Sequence, residues 1–144
     1  MKYEFEIKER AIGKERPRYS AVTHRMYTPT KTSIFEEKVQ WAFKSKYNIQ
    51  TELSVKPFRA KIIAVFEPPK SISKKKREEL LYGEYTKKPD SDNVAKAILD
   101  SLNGLVYKDD NQISELLVLK HYGDENKILV ELEELWAIKK QDRN

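Results

Sequence analysis

The sequence predicts an α+β domain in which helices pack against a mixed four-stranded β-sheet. Hydrophobic residues recur with strand-like and helix-like periods in the order β-α-β-(α)-α-β-β. A length of 144 residues suits a single domain, residues 1–144, and is large enough to bury a substantial core. No internal repeat, low-complexity tract or interdomain linker divides the sequence.

The first third of the chain is expected to form one strand, a loop and one helix. Apolar and charged residues alternate over residues 3–7, which is typical of a half-buried strand. Residues 10–30 are rich in Gly, Pro and polar residues and are predicted to be a loop. A helix is expected from Ser33 to about Tyr47, because Ser33 and Glu36 form a capping-box pattern.

The remainder is expected to contain two helices and three strands. In order these are a central strand over 58–66, a short polar helix over 71–82, a helix over 93–103 ended by Gly104, and strands over 113–122 and 127–132 joined by 123–126 as a hairpin. Ile63 and Val65 predict that the central strand is covered on both faces toward its end. Large aromatic residues are expected in the core or at an interface: Phe35, Phe43, Phe58, Phe66, Trp41 and Trp136.

Charge and composition narrow the class of function. The formal net charge is +5 and 35% of residues are charged, which favours a polyanionic partner. The chain has no cysteine, and this excludes disulfides, zinc fingers and thiol chemistry. No apolar stretch approaches about 18 residues and no signal segment is recognised, so a soluble cytoplasmic protein without membrane contact is expected.

Two acidic clusters flank the helix predicted over 93–103. Asp90 and Asp92 precede it, and Asp109 and Asp110 follow it. Carboxylates brought together in this way can hold a hard divalent cation such as Mg²⁺. Each cluster also has an ordinary structural interpretation, because Asp is a preferred helix N-cap and is common in polar turns. Only the fold decides whether the return from Gly104 brings Asp110 back toward the helix start.

One face of this helix carries a candidate for phosphate contact. Asn93, Lys96 and Asp100 lie at i, i+3 and i+7 and therefore share a face. Lys96 is expected to lean back toward Asp92, where a lysine beside metal-bound carboxylates can hold a phosphate. The alternative interpretation is a plain Asp92–Lys96 ion pair.

These residues resemble the signature of the RusA family of Holliday junction resolvases. The matching segments are Lys87–Asn93 with Lys96, Leu99–Gly104 and Asp109–Ile113, and more loosely Gly13–Arg18, Tyr27–Pro29 and Ser73–Arg77. The resemblance implies a RusA-like fold and a homodimeric, Mg²⁺-dependent endonuclease that accepts Mn²⁺ as a substitute and needs no organic cofactor. Its implied substrate is a four-way DNA junction, nicked in two opposed strands during recombination and repair.

Carried over by position, the resemblance also implies the site residues. The catalytic residues are Asp90, Asp92, Asp110 and Lys96, and the metal ligands are Asp90, Asp92 and Asp110 with Asp109 as a contributor. Asp100 is expected to be structural. The chain departs from a run of arginines found in some family members, because it has Thr86-Lys87-Lys88-Pro89. Positive charge is retained there, but the bidentate phosphate contact of arginine is lost.

Cations are expected to contact DNA phosphates and to read junction shape rather than base sequence. The candidates are Lys14, Arg16, Arg18, Lys74, Lys75, Lys76, Arg77, Lys87 and Lys88. The alternative interpretation of the 74–77 run is a solvated helix face. Lys87 and Lys88 favour the DNA interpretation because they adjoin the acidic motif.

Other functions remain open from the residues alone. A non-catalytic basic DNA-binding module predicts binding without metal-dependent cleavage. A phosphodiesterase for flap or fork DNA, or for RNA, uses the same carboxylates with another shape preference. A calcium-stabilised fold is disfavoured, because the clusters lack the twelve-residue loop pattern with its terminal Glu.

Overall fold

A computed structural model describes residues 1–49 and 52–136, and it confirms the α+β class. The elements are β1 (Lys2–Ile7), β2 (Arg18–Ser20), β3 (Arg25–Tyr27), α1 (Thr30–Lys44), β4 (Phe58–Phe66), α2 (Lys74–Leu80), α3 (Ser91–Ser101), a 3₁₀ turn (Asp110–Gln112), β5 (Ile113–Tyr122) and β6 (Lys127–Glu134). No helix in the described ranges has the length and apolar character needed to cross a membrane.

The main sheet is mixed and four-stranded, as predicted, with the strand order β1-β6-β4-β5. β4 pairs parallel with β5 and antiparallel with β6, and β1 pairs antiparallel with β6. The central position predicted for β4 is therefore confirmed. Parallel pairing requires a long crossover from β4 to β5, and this crossover contains α2 and α3.

The predicted hairpin of the last two strands is wrong, because β4 lies between β5 and β6. The 123–126 connection instead passes across the end of β4. Gly123 N donates to Phe66 O at 2.9 Å, and Glu67 N donates to Asn126 Oδ1 at 2.8 Å. A Cβ on Gly123 would lie 2.3 Å from Val65 Cγ1, so this crossing requires glycine.

The core lies between one face of the sheet and helices α1 and α3. The inward residues of β4 are fully buried, and they alternate with partly exposed ones. All four Phe residues predicted to be in the core are buried, whereas Trp41 and Trp136 are 72% and 85% exposed and do not belong to it. Ile63 and Val65 are only half-buried, so the predicted cover on the second face of β4 is wrong at these positions.

Helix boundaries differ from the prediction at their N-terminal ends. α1 begins at Thr30, and the Ser33–Glu36 capping box is not formed because Ser33 lies inside the helix, where its N–H donates to Pro29 O at 3.1 Å. α3 begins at Ser91, which puts Asp90 rather than Asp92 at the N-cap position. The predicted 10–30 loop contains the short hairpin of β2 and β3.

Candidate functional site

The loop that carries Asp90 is fastened to the edge strand β5. Lys120 Nζ donates to Lys87 O at 2.9 Å and to Pro89 O at 2.8 Å. Both acceptors are backbone carbonyls, so this contact fixes the path of the chain without using the side chains of the motif. Asp90 is therefore held at a defined position in front of α3, with its own side chain exposed.

An aromatic contact from the core fixes the same loop before α3. Tyr85 is buried, stacks on Phe66 with ring centroids 3.8 Å apart, and donates its hydroxyl to Lys88 O at 2.7 Å. Arg10 donates to the same hydroxyl oxygen at 2.9 Å, and its guanidinium carbon lies 5.0 Å from the centroid of the Phe66 ring. The first loop of the chain and the loop before α3 thus share one anchor.

Helix α3 carries a polar stripe on the side away from the core. Asp92, Lys96 and Asp100 lie at i, i+4 and i+8, while Val94, Ala97 and Ile98 are fully buried. Lys96 Nζ lies 3.3 Å from Asp100 Oδ2. The predicted lean of Lys96 toward Asp92, and the alternative Asp92–Lys96 pair, are both wrong. The ammonium pairs with Asp100 because that carboxylate is partly desolvated, with 19% of its side chain exposed, and there attracts a cation more strongly.

The turn after α3 brings the second acidic cluster back onto the helix. Tyr107 is fully buried, donates its hydroxyl to Leu99 O at 2.6 Å and packs edge-on against Phe58 at 5.6 Å between ring centroids. Gly104, with φ of 79°, permits the reversal. Burial, and then the nearby charge of Asp110, raise the pKa of the Tyr107 hydroxyl. Tyr107 therefore stays a neutral donor beneath the carboxylates.

Gln112 holds the turn that contains Asp109 and Asp110. Its Oε1 accepts from Lys108 N at 3.0 Å and Asp109 N at 3.1 Å, while its Nε2 donates to two carbonyls, Ser54 O and Lys56 O, both at 2.9 Å. Asp109 and Gln112 form a reciprocal capping box. The polar-turn interpretation therefore describes the local role of Asp109 correctly.

Asp100, Asp109 and Asp110 form what we call the carboxylate cluster. Burial, followed by hydrogen bonding and charge from Asp100 and then Asp109, raises the pKa of Asp110 to about 6. The return from Gly104 therefore brings Asp110 against Asp100 in the C-terminal half of α3. Asp92 precedes Asp100 by eight residues, about 12 Å along the helix axis.

The donor type fits a hard divalent cation, since every member of the carboxylate cluster offers oxygen ligands and Asp110 is crowded by its neighbours. Among residues 1–49 and 52–136, however, no group of three or more His, Asp or Glu side chains is arranged to hold a metal ion. The structure thus provides suitable ligands without an assembled metal centre.

Lys14 connects this cluster to the rest of the molecule. Its Nζ contacts Glu36 Oε1 of α1 and lies 3.8 Å from Asp100 Oδ2, and its backbone N donates to Asn93 O at 3.2 Å. A Cβ on Gly13 would lie 3.3 Å from the Cβ of Asn93, which shows how closely this loop approaches α3. Lys14, predicted to contact DNA, is thus engaged in ion pairs within the protein.

The other predicted cations fall into two groups. Arg77 is also engaged internally, with Glu67 Oε1 at 3.1 Å and Pro68 O at 3.3 Å, and Arg18 lies 3.2 Å from Glu15. The exposed ones are Arg16, Lys74, Lys75, Lys76, Lys87 and Lys88, together with Arg18, whose pair with Glu15 lies at the surface. Lys74–Lys76 open the short helix α2, capped by Ser73, whose Oγ accepts from Lys76 N at 3.2 Å.

A large cleft beside Asp90, which we call the basic cleft, was not predicted from the sequence. Its volume is about 970 Å³, and it is lined by parts of residues 9–15, 30–38 and 88–93. Three of its cations, Arg10, Lys31 and Lys38, were not identified as candidates. A signal existed, since Lys31, Ile34 and Lys38 lie at i, i+3 and i+7 and therefore share one face of α1.

The fold and site define a small α+β protein with clustered carboxylates next to a cationic surface. Residues 9–133 match the family described as Endodeoxyribonuclease RusA, and the chain therefore belongs to the RusA endodeoxyribonuclease family. It is also 44% identical over 80 residues to "Uncharacterized protein YqaN" of Bacillus subtilis (strain 168). That match covers 52% of this chain and 56% of the relative.

Proposed function

We propose that this protein is a Mg²⁺-dependent endodeoxyribonuclease that resolves four-way DNA junctions by paired nicks in opposed strands, in DNA recombination and repair. The observation that carries the proposal is the carboxylate cluster, in which Asp110 is crowded against Asp100 beside two lysines, in a chain of the RusA family. Such crowding at a cationic surface is typical of sites that act on phosphates.

The proposed ligands of the divalent cation are Asp90, Asp92 and Asp110, with Asp109 as a contributor; Mn²⁺ is expected to substitute. When bound, the ion supplies polarisation of the scissile phosphate and a lowered pKa for its bound water. The Lys96 side chain is 60% exposed and can therefore reach a phosphate oxygen, which makes it the proposed catalytic cation.

The remaining residues position this machinery and bind the substrate. Lys14 and Tyr107 hold Asp100 and the return turn in place. DNA phosphates are proposed to contact the exposed cations Arg16, Arg18, Lys74, Lys75, Lys76, Lys87 and Lys88. A homodimer is proposed because two coordinated cuts in a roughly two-fold junction are most simply made by two equivalent sites. An enzyme of this kind is expected to act in the cytoplasm, on branched DNA.

The test is cleavage of a fixed four-way junction and of a linear duplex with the same sequence, each with Mg²⁺ and with EDTA. The proposal predicts paired nicks near the crossover in the junction only, and only with Mg²⁺. Flap, fork and RNA substrates in the same assay identify a nuclease with another shape preference. Equal cleavage of the linear duplex would contradict junction resolution.

A second candidate is structure-selective DNA binding without cleavage. One observation favours it: the exposed cations Lys74, Lys75 and Lys76 on α2 can bind DNA phosphates without any carboxylate. It predicts junction binding with no nicking under any divalent ion, and indifference of binding to Asp92→Asn.

A further inference from the structure

The basic cleft is formed by three segments that hold each other in place. The loop after β1 contributes residues 9–15, α1 contributes 30–38, and the loop before α3 contributes 88–93. Lys14 ties the first segment to the second through Glu36 and to the third through Asn93 O. A cleft with such fixed boundaries needs little rearrangement to receive a ligand.

Several charges that line the cleft are already paired within the protein. Lys38 Nζ lies 2.9 Å from Glu9 Oε1, and Glu15 pairs with Arg18. Lys31 and Lys88 form no ion pair among the described residues, and both are exposed. The unpaired charge at the cleft is therefore positive apart from Asp90, which suits a phosphodiester chain.

The lining also contains an apolar surface suited to a nucleotide base or sugar. Ile34 is 48% exposed and lies between Lys31 and Lys38 on the same face of α1. The partly exposed Ile12 extends this surface, and the buried Ala11 and Phe35 lie behind it. A positively charged groove of this kind tracks the backbone of a single nucleic-acid strand, and Ile34 offers an apolar surface to a sugar or base. A volume of about 970 Å³ lies at the upper end of the range for ligand sites of drug size, so it has room for more than one nucleotide unit.

The cleft leads directly to the proposed catalytic residues. Asp90 and Asn93 line it on one side, and Lys14, which also lines it, contacts Asp100 of the carboxylate cluster. We propose that the basic cleft binds a short segment of one DNA strand at the junction crossover, with phosphates on Lys31 and Lys88 and a base or sugar against Ile34. This inference rests on the proposed function and adds a strand path to it.

The first experiment compares DNA binding by matched charge variants in EDTA, with a labelled four-way junction and a single-stranded oligonucleotide. Lys31→Ala/Lys88→Ala removes two positive charges at the cleft. Lys44→Glu changes the net charge by the same amount at the far end of α1. We expect the double variant to weaken binding at least about tenfold and to lower the salt slope by about 1.4, since each single-strand phosphate contact contributes about 0.7. Lys44→Glu should change affinity less than about threefold.

The second experiment uses the absence of cysteine in the sequence. Ile34→Cys introduces a single thiol in the cleft, and Val55→Cys introduces one at a position that is 69% exposed and outside it. Saturating junction DNA should slow maleimide alkylation of the first thiol at least about fivefold and leave the second unchanged.

The outcomes separate this inference from the proposed function. Two results would overturn the cleft inference alone. One is a Lys31→Ala/Lys88→Ala variant that binds DNA as tightly as the wild type does. The other is an Ile34→Cys thiol that stays fully reactive when the protein is saturated with junction DNA. A wild-type protein that binds no junction and no single strand would overturn both. Protection together with the reduced salt slope would support the strand path even if cleavage is absent.

Discussion

The two ends of helix α3 carry aspartates in opposite environments. At the N-terminal end, Asp90 and Asp92 are exposed and form no ion pair within the described residues. At the C-terminal half, Asp100 and Asp110 are packed together by the turn over Tyr107, and the pKa of Asp110 rises to about 6. The return turn, rather than the acidic motif before the helix, therefore creates the electrostatic crowding of Asp110 against Asp100. In the proposed enzyme both ends serve one site, and the following experiments test that link.

The largest expected effect is the loss of cleavage when a proposed metal ligand at either end of α3 is replaced. Asp92→Asn and Asp110→Asn keep the side-chain volume but remove the charge of a proposed metal ligand. We expect each to reduce the rate of junction nicking by about 10³-fold, equivalent to about 4 kcal/mol in the activation barrier, with junction binding in EDTA retained. Asp124→Asn, at an exposed position of the 123–126 connection, is the matched control and should cleave normally. If either variant still cleaves junctions at the wild-type rate, the substituted residue is not a metal ligand of the site.

Substitution of the two lysines that contact Asp100 should have different effects: Lys14 should matter for stability and Lys96 for cleavage. Lys14→Ala leaves the partly buried Glu36 without its cation and Asp100 with Lys96 as its remaining one, and we expect a loss of about 1–3 kcal/mol in unfolding free energy. Lys96 has a side chain that is 60% exposed, so Lys96→Ala should cost less than about 0.5 kcal/mol. Its cleavage rate should fall about 10²-fold.

Thermal unfolding and single-turnover nicking of both lysine variants measure this split. A Lys96→Ala protein that is as unstable as Lys14→Ala and still cleaves would reverse the assigned roles.

The crowding of Asp110 should appear as a pH dependence of stability in metal-free protein. Its pKa of about 6 in the fold exceeds the ordinary value of 3.8, so the folded state holds the proton more tightly. This contribution to stability is complete below about pH 4 and is lost as the pH rises through about 6. Asp110→Asn removes the repulsion and should be more stable than wild type at pH 8.

The expected gain at pH 8 is on the order of 1–2 kcal/mol after allowance for solvent screening. It should shrink as the pH falls below 6 and vanish near pH 4. Melting curves of both proteins from pH 4 to pH 8 in EDTA provide the test. A difference that is independent of pH would show that Asp110 is not crowded.

The smallest expected effect distinguishes two neighbours on α2. Lys76 is exposed, and Lys76→Ala should lower the salt slope of junction binding by about 0.9 for one lost duplex phosphate contact. Arg77 bonds to Glu67 and Pro68, so Arg77→Ala should reduce stability by about 1 kcal/mol and leave the slope unchanged. An unchanged slope for Lys76→Ala would return the basic run to a solvated helix face.

Much of the fold was predictable because its elements have clear periodicity. The strand over 58–66 and the helix near α3 follow directly from apolar spacing. The separation of β5 from β6 by β4 was not predictable. A four-residue connection looks the same in sequence whether two strands are paired or a third strand lies between them. Only the contacts of Gly123 with β4 distinguish these cases.

The candidate site was predictable in its residue types and less so in its geometry. Sequence spacing identifies Lys96 and the acidic positions, but not the partner of each side chain. Lys96 pairs with Asp100 because the turn after Gly104 desolvates that carboxylate, and this turn depends on the burial of Tyr107. Lys14 likewise contacts Glu36 across 22 positions in sequence, a distance that local patterns do not encode.

The most direct test of whether both ends of α3 form one site is calorimetric measurement of Mn²⁺ binding. The proteins compared are the wild type, Asp92→Asn, Asp110→Asn and Asp124→Asn. One shared site predicts that the first two variants each weaken the same binding event at least about tenfold, while Asp124→Asn binds as wild type does. Wild-type Mn²⁺ binding that survives either Asp92→Asn or Asp110→Asn unchanged would show that the two ends do not share an ion.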